Sequence, residues 1–593
     1  MSEYVAPLAD MRFVLRHLAG LEQIVALPSC EEATPDVVDA ILDEAARFAG
    51  EVLSPLNRVG DTQGACWHDQ AVTTPPGFKA AYRQFVENGW NGLGCDPEFG
   101  GQGLPHILSA AVSEMWKGAN HAFSLCPMLT QGAIEALTIA GSDVQKAAYL
   151  PKLVAGEWTG TMNLTEPNAG SDLAAVRTRA EPVGDGTYRI FGQKIFITYG
   201  EHDLAENIVH LVLARTPNAP EGVKGISLFV VPKFLLTAEG SPGERNDVHC
   251  VSIEHKLGIH GSPTAVLAFG DRVGAIGTLV GEENRGLEYM FIMMNAARFN
   301  VGLEGLGDAE RAYQRAVAYA RERLQGTEPG VRGGPKVPII RHPDVRRMLM
   351  SMRSRVEAMR ALAYVVAAAL DKGRHHPDEA ARRQAQSFAE LMIPVVKGWS
   401  TESAIDIASL GIQVHGGMGY IEETGAAQHL RDARITAIYE GTTAIQANDL
   451  IGRKIARDHG AAAKALIADM RAATAGLDGD LAAIGARQAA AVDALDKAVD
   501  WLVANFARDP MAAHAGAVPF LFLLGIVAGG WQLGRAAVIA RRRKAEGDSD
   551  PFWTAKLATA RFFADHWLTQ AAGLAEAVVN GAAGALEMPD DAF

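Results

Sequence analysis

A change in sequence pattern near residue 159 constrains the fold more than any other feature. Before it, apolar residues recur at three- and four-residue spacing, as in PDVVDAILDEAARFAGEVLSPLNRVG at 35–60. After it come short runs rich in Val, Ile, Phe and Thr, namely TYRIFGQKIFIT (187–198), NIVHLVLART (207–216), GISLFVVPKF (225–234) and TAVLAFGD (264–271). Because no long helix separates these runs, they predict a β-barrel or sandwich rather than a parallel sheet.

Helical patterns return near residue 281 and continue to the end, interrupted by a loop rich in Pro and Gly at 326–338. At 593 residues the chain is too long for one core. We therefore predict an α+β multidomain protein. Its predicted parts are an N-terminal helical domain (1–158), a β domain (159–280), a helical domain (281–458) and an extra C-terminal helical domain (459–593).

The charge and cysteine content restrict the class of function. The formal net charge is −14, and residues 461–593 carry 12 Lys and Arg against 15 Asp and Glu, so a nucleic-acid surface is disfavoured. Five cysteines without a C-x-x-C pair indicate neither a disulfide framework nor a zinc site. The first twenty residues lack a basic start followed by an apolar run, so a cytoplasmic location is expected.

One segment has the length of a membrane span. Ala515 to Gly534 is twenty residues without a charge. Pro519 and four internal glycines instead suit close packing in a buried helix of a bundle. Length alone does not separate the two alternatives, but we favour the buried helix.

Several common chemistries are not indicated. No G-x-G-x-x-G follows a strand, and G-x-x-x-x-G-K-[ST], G-x-S-x-G and H-E-x-x-H do not occur. The pair His375–His376 in KGRHHPDE is typical of a solvated turn, so no metal site is predicted.

Three segments hold candidate functional residues without being diagnostic alone. MNLTEPNAGSDLAAVRTRA (162–180) crowds small and hydroxyl residues at the end of a strand, which fits a ligand site or an ordinary turn. RDARITAIYEGTTAIQ (431–446) places one carboxylate, Glu440, in an apolar stretch and follows it with Gly441. In the strand GQKIFITYG, Phe196 and Thr198 fit plain strand positions equally well.

In combination the motifs are specific. LTEPNAGSD, GQKIFIT, QVHGGMGYIEE, RDARITAIYEGT and PEFGGQGLP together resemble the acyl-CoA dehydrogenase family, over about residues 35–458. The tail resembles the extra C-terminal domain of a longer bacterial subgroup that includes 3-methylthiopropionyl-CoA dehydrogenases.

The resemblance implies an FAD-dependent enzyme that converts an acyl-CoA thioester to the 2-enoyl-CoA. A base removes the α-proton, and a hydride leaves the β-carbon for flavin N5. Glu440 matches the base, since burial among apolar groups raises the pKa of a carboxyl group. The alternative is a buried glutamate paired with Arg431 or Arg434. We favour the base, because a buried unpaired carboxylate is costly and needs a reason.

The resemblance also implies binding residues. The residues matched to FAD contacts are Leu164, Thr165, Ser171, Phe196, Thr198, Arg323, Gln413, Gly417 and Thr442. Those matched to the substrate side are Ser171, Asn295, Arg298 and Gly441. The family usually has Trp where this chain has Phe196, and the aromatic-glycine pair expected after Arg323 is missing.

The implied partners are an electron-transfer flavoprotein as electron acceptor and a second copy of the chain in a homodimer. Three rival functions remain open. They are an acyl-CoA oxidase, a flavin-carrying DNA-binding relative, which the acidic tail disfavours, and a membrane-attached long-chain dehydrogenase, for which only Ala515 to Gly534 speaks.

Overall fold

The computed structural model describes residues 4–593. They form two compact units. The first contains the described residues up to Ala46, with Pro105–Gly118 and Arg298–Phe593. The second contains Arg47–Leu104 and Ala119–Ala297.

The N-terminal part is helical except for one short hairpin. Its helices are α1 (Leu8–Phe13), α2 (Leu21–Val25), α3 (Pro35–Phe48), α4 (Ser54–Gln63), α5 (Phe78–Glu87), α6 (His106–Ala119), α7 (His121–Ala140) and α8 (Asp143–Ala155), and the hairpin is β1 (Cys66–His68) with β2 (Ala71–Thr73). Local sequence signals set the ends of α8. Ser142 and Gln145 form a capping box at its start, and Gly156 in the left-handed conformation ends it.

Ten strands follow, in agreement with the predicted central β domain. They are β3 (Trp158–Asn163), β4 (Arg179–Pro182), β5 (Thr187–Thr198), β6 (Asn207–Ala214), β7 (Ser227–Pro232), β8 (Phe234–Leu236), β9 (Pro242–Arg245), β10 (Val248–Ile253), β11 (Thr264–Phe269) and β12 (Ala275–Val280). Eight of them form one sheet in the order β10-β11-β5-β12-β7-β6-β3, with β4 also paired to β5, while β8 and β9 pair separately. Strands β3 and β6 are parallel, and the other pairs are antiparallel.

Helices make up the rest of the chain. The first group is α9 (Gly286–Glu322), α10 (Pro343–His375), α11 (Glu379–His415), α12 (Ala426–Ala433) and α13 (Thr443–Asp449). The extra C-terminal group is α14 (Ala461–Thr474), α15 (Ala482–Asn505), α16 (Pro510–Ala515), α17 (Ala517–Ala545), α18 (Pro551–His566), α19 (Ala571–Asn580) and α20 (Ala582–Leu586). The predicted order of helices, strands, helices and further helices is confirmed.

The uncharged segment that could have spanned a membrane lies in α17. Helices α7 and α17 are both long and apolar enough to cross a membrane, but 78% of the apolar window of each is buried inside the fold. The glycines of α17 permit close packing, because a Cβ built on Gly525 would lie 2.4 Å from Cγ of Trp399 in α11. Within its unit, α17 is thus a core helix of the bundle.

Candidate functional site

The predicted loop after β3 is fastened to strand β5 by three hydrogen bonds. Nζ of Lys194 donates to the carbonyl oxygen of Leu164 at 3.0 Å and to Oε1 of Glu166 at 2.9 Å. The backbone N–H of Ile195 donates to the carbonyl oxygen of Thr165 at 2.9 Å. The structure therefore brings Leu164 and Thr165 next to the strand that carries Phe196 and Thr198.

Glu166 keeps this loop in shape. Its carboxylate also accepts from the backbone N–H of Arg177 at 2.7 Å and from both the N–H and hydroxyl of Thr178, at 3.0 and 2.6 Å. Although burial opposes ionisation, Lys194 and these donors hold the pKa of Glu166 below its ordinary value. Ser171 lies exposed in the same loop.

Phe196 sits at an irregularity in β5. Where β5 pairs with β11, the register shifts between Ala265 and Leu267, so β5 carries one extra residue. Phe196 has φ of +59°, a conformation that is strained for a bulky residue, and 58% of the residue is exposed. An exposed aromatic face on a rigid strand, beside hydroxyl residues, fits the flat ring of a flavin.

Glu440 lies in a tight turn between a 3₁₀ helix (Arg434–Ala437) and α13. Both Glu440 and Gly441 have positive φ, +55° and +89°. The hydroxyl of Thr442 caps α13 by accepting from the N–H of Ile445 at 3.4 Å. Gly441 thus adopts a conformation that glycine tolerates at little cost, and it lets the chain reverse directly after the carboxylate.

The electrostatic environment of Glu440 raises its pKa to about 7. The residue is half-buried by its surface exposure, and desolvation of the carboxyl group is the largest cause of the raised pKa, to which the negative charge of Glu304 adds. The positive charges of Arg298 and Lys397 act in the opposite direction. A carboxyl group with this pKa is poised to accept a proton near neutral pH.

The alternative in which Glu440 is paired with Arg431 or Arg434 is wrong. Arg431 pairs with Glu422 at 2.8 Å, and Arg434 is exposed. Within residues 4–593, the Glu440 carboxylate forms no direct ion pair, and its backbone N–H donates to no acceptor.

The other predicted cofactor residues occupy accessible positions. Gln413 lies in the last turn of α11 and Gly417 just beyond it, and both are exposed. Arg323 is exposed directly after the end of α9, where its carbonyl oxygen accepts from the N–H of Ile339 at 2.8 Å.

The two predicted substrate residues of α9 differ in environment. Asn295 is exposed. Arg298 is only 5% exposed, and its Nη1 lies 3.3 Å from Oδ2 of Asp449. The positive charge of Arg298 also interacts with Glu440 and lowers the pKa of that carboxyl group.

Four neighbours of Glu440 were missed in the sequence. Lys397 donates to the carbonyl oxygen of Gly441 at 2.8 Å, and Nε2 of Gln446 donates to the carbonyl oxygens of Glu440 and Gly441 at 3.0 and 3.2 Å. The hydroxyl of Tyr439 donates to Oε2 of Glu304. A signal did exist, because Lys397 in LMIPVVKGW (391–399) and Glu304 in VGLEGLG (301–307) are lone charges in apolar stretches, as Glu440 is.

Family models match almost the whole chain. The acyl-CoA dehydrogenase N-terminal, middle and C-terminal domains match residues 36–157, 161–272 and 284–455. A model described as acetyl-CoA dehydrogenase C-terminal like matches residues 464–589.

Individual proteins are similar over nine-tenths or more of their length. The 3-methylmercaptopropionyl-CoA dehydrogenase of Ruegeria pomeroyi is 54% identical over 571 residues, which is 96% of each chain. The broad-specificity linear acyl-CoA dehydrogenase FadE5 of Mycobacterium tuberculosis is 35% identical over 619 residues and 100% of each chain. Among solved structures, an acyl-CoA dehydrogenase from Bacillus anthracis complexed with FAD has a TM-score of 0.74 and 22% identity, covering 95% of this chain and 91% of that one. This last similarity concerns the fold alone.

Proposed function

Because this chain belongs to the acyl-CoA dehydrogenase family, we propose that Glu440 is the base that removes the α-proton of its acyl-CoA substrate. The enzyme is an oxidoreductase that acts on a CH–CH bond and uses FAD. Bound FAD supplies the acceptor for the hydride that leaves the β-carbon.

One observation carries the assignment of the base. Glu440 is a carboxyl group without a direct ion pair in the described chain, and its pKa is raised to about 7. An ordinary glutamate is too weak a base for a carbon acid, whereas a desolvated one with a pKa of about 7 is stronger and still about half ionised at pH 7. The unbonded backbone N–H of Glu440 is our candidate donor to the thioester carbonyl oxygen, where negative charge develops. Gly441 serves the substrate side by allowing this turn.

The residues of the β domain fit an isoalloxazine ring. Thr165 and Thr198 offer hydroxyl and backbone groups to its polar edge, and Leu164 lies in the same fastened loop. Phe196 is proposed to pack on the ring, and Ser171 to meet either FAD or the CoA moiety. Gln413, Gly417, Thr442 and Arg323 are proposed to hold other parts of FAD, and Asn295 and Arg298 to act on the substrate side.

For the substrate we propose 3-methylmercaptopropionyl-CoA, because the relative of that name shares 54% of its residues over 96% of each chain. A straight-chain acyl-CoA is the second candidate, supported by the full-length relative described as acting on linear acyl-CoA. A set of acyl-CoA esters tested with a dye acceptor decides between them. The specificity constant kcat/KM should be highest for the thioether ester, and a higher value for butyryl-CoA would refute this choice.

We further propose a cytoplasmic homodimer that passes electrons to an electron-transfer flavoprotein. Exposed apolar side chains next to Gln413 and Gly417 support the dimer, since Met418, Tyr420 and Ile421 are 50%, 86% and 45% exposed. Sedimentation analysis tests the dimer. Oxygen consumption during turnover would instead indicate an oxidase.

The test of the base is Glu440→Gln, which keeps the shape of the side chain and removes its basicity. The variant should bind FAD and stay yellow, but its flavin should no longer bleach with acyl-CoA. Glu379→Gln is the matched control, because the Glu379 side chain is 70% exposed and pairs with Arg383 on the surface. Bleaching by the Glu440→Gln variant at the wild-type rate would remove Glu440 from the mechanism.

A further inference from the structure

Lys397 is a fully buried lysine in the middle of α11, with 0% of the residue exposed. Burying an ammonium group is costly unless hydrogen bonds and opposite charges compensate it. Its Nζ donates to the carbonyl oxygen of Gly441 at 2.8 Å, so its hydrogen bond is made to the turn that carries Glu440.

Two side chains donate hydrogen bonds to the backbone of the Glu440–Gly441 turn. Gln446, also fully buried, donates to the carbonyl oxygens of Glu440 and Gly441, and Lys397 gives the Gly441 oxygen its second donor. Because Glu440 has a positive φ, which persists only where surrounding contacts fix the backbone, these bonds help to hold the backbone from which its carboxylate projects.

The charges around the pair are mixed. Besides burial, which has the largest effect, four charges act on the pKa of Lys397. The like charge of Arg298 lowers this pKa, and the negative charges of three carboxylates raise it: Glu440, Glu304 and Glu402. The pKa of Glu440, which desolvation raises most, is lowered by the positive charges of Arg298 and Lys397 and raised by the negative charge of Glu304. Burial lowers the pKa of Lys397 to about 8, and below that pH its positive charge favours the ionised form of Glu440.

We propose that Lys397 is a positioning residue for the catalytic base: it holds the Glu440–Gly441 turn through the Gly441 carbonyl and stabilises the Glu440 carboxylate by its positive charge. This inference rests on the proposed role of Glu440. Lys397 makes no contact with the substrate in this proposal. Replacing Lys397 should therefore change kcat and the pH profile rather than KM.

The experiment compares Lys397→Met, Lys397→Gln and wild type as FAD-loaded enzymes. Flavin bleaching by saturating acyl-CoA is followed between pH 5.5 and 9.5. Loss of the nearby positive charge should move the rising limb of the rate to higher pH by about one unit in both variants. Lys397→Met also loses the donor to Gly441, so its maximal rate should fall by about ten- to a hundredfold, and the fall should be smaller for Lys397→Gln.

Lys454→Met is the matched control, because Lys454 is a lysine of the same unit that pairs with Glu390 at 3.2 Å near the surface. This variant should leave both the pH at which the bleaching rate rises and the maximal bleaching rate unchanged. If Lys397→Met does not fold, Lys397→Gln alone tests the proposal, through the pH at which its bleaching rate rises.

A yellow, folded Lys397 variant with the wild-type limb would overturn the inference, even if its thermal stability fell, since a purely structural role predicts that result. Failure of the wild-type enzyme to bleach with any acyl-CoA would instead overturn the proposed function.

Discussion

Lys556 on α18 is the perturbation for which the structure permits the most explicit stability prediction. Only 2% of its side chain is exposed, and its Nζ pairs with Asp10 and, at 2.8 Å, with Oε2 of Glu357 in α10. It therefore links the extra C-terminal bundle to the remaining helices of its unit. Replacement by Met keeps the approximate volume and removes the charge.

The expected cost follows from what the partners retain. Removing one member of a buried ion pair costs about 3–5 kcal/mol. Each carboxylate keeps one arginine, because Asp10 lies 2.6 Å from Arg360 and Glu357 lies 2.6 Å from Arg353. We therefore expect the loss in the free energy of unfolding to lie at the lower end of this range, at about 3 kcal/mol. With an unfolding entropy of about 2.1 cal/mol/K per residue and 593 residues, Tm should fall by about 2.5 °C if the chain unfolds in one transition.

Differential scanning calorimetry of the FAD-loaded variant measures this shift. Lys544→Met is the control, because Lys544 is exposed at the end of α17 and donates only to Oγ1 of Thr554, at 2.8 Å. Its effect should stay within about 0.5 kcal/mol. If Lys556→Met shifts Tm no more than Lys544→Met does, the idea that this lysine anchors the bundle is refuted. In the double variant with Glu357→Gln, the loss should be smaller than the sum of the two single losses.

Three further predictions concern the site. Since Glu440 must be ionised to act, the wild-type bleaching rate should rise with pH through about 7, and a limb near the ordinary glutamate pKa would contradict this. Gly441→Ala should lower that rate at least tenfold, by an order-of-magnitude estimate, because φ is +89° and a Cβ would lie 2.8 Å from Nε2 of Gln446. The control Gly573→Ala meets open space and should change nothing. Phe196→Ala should weaken FAD retention in dialysis, and unchanged retention would count against the proposed packing of Phe196 on the flavin ring. Since 58% of the residue is exposed, the Tm of the apoprotein should change by less than the equivalent of about 0.5 kcal/mol.

The order of domains and the type of secondary structure in each followed from the sequence, because they depend on local periodicity and turn chemistry. The strand pattern of β5, β6, β7 and β11 was evident in this way. Five strands of the central β domain lie outside the predicted runs, namely β3, β4, β9, β10 and β12, and β8 overlaps one run by a single residue. The short β1–β2 hairpin was missed because three-residue strands carry too little pattern.

The sequence by itself also determined that Glu440 is unusual, because a lone carboxylate in an apolar stretch needs a reason. Only the tertiary structure decided what surrounds it. Lys397 and Glu304 are 43 and 136 residues away along the chain, and neither spacing predicts that they act on the same carboxyl group. Likewise, α17 has the composition of a membrane span, and its burial depends on how Trp399 packs against its glycines. Local patterns specify elements, but the pKa of a buried group and the packing of a helix depend on neighbours that the fold brings together from distant positions.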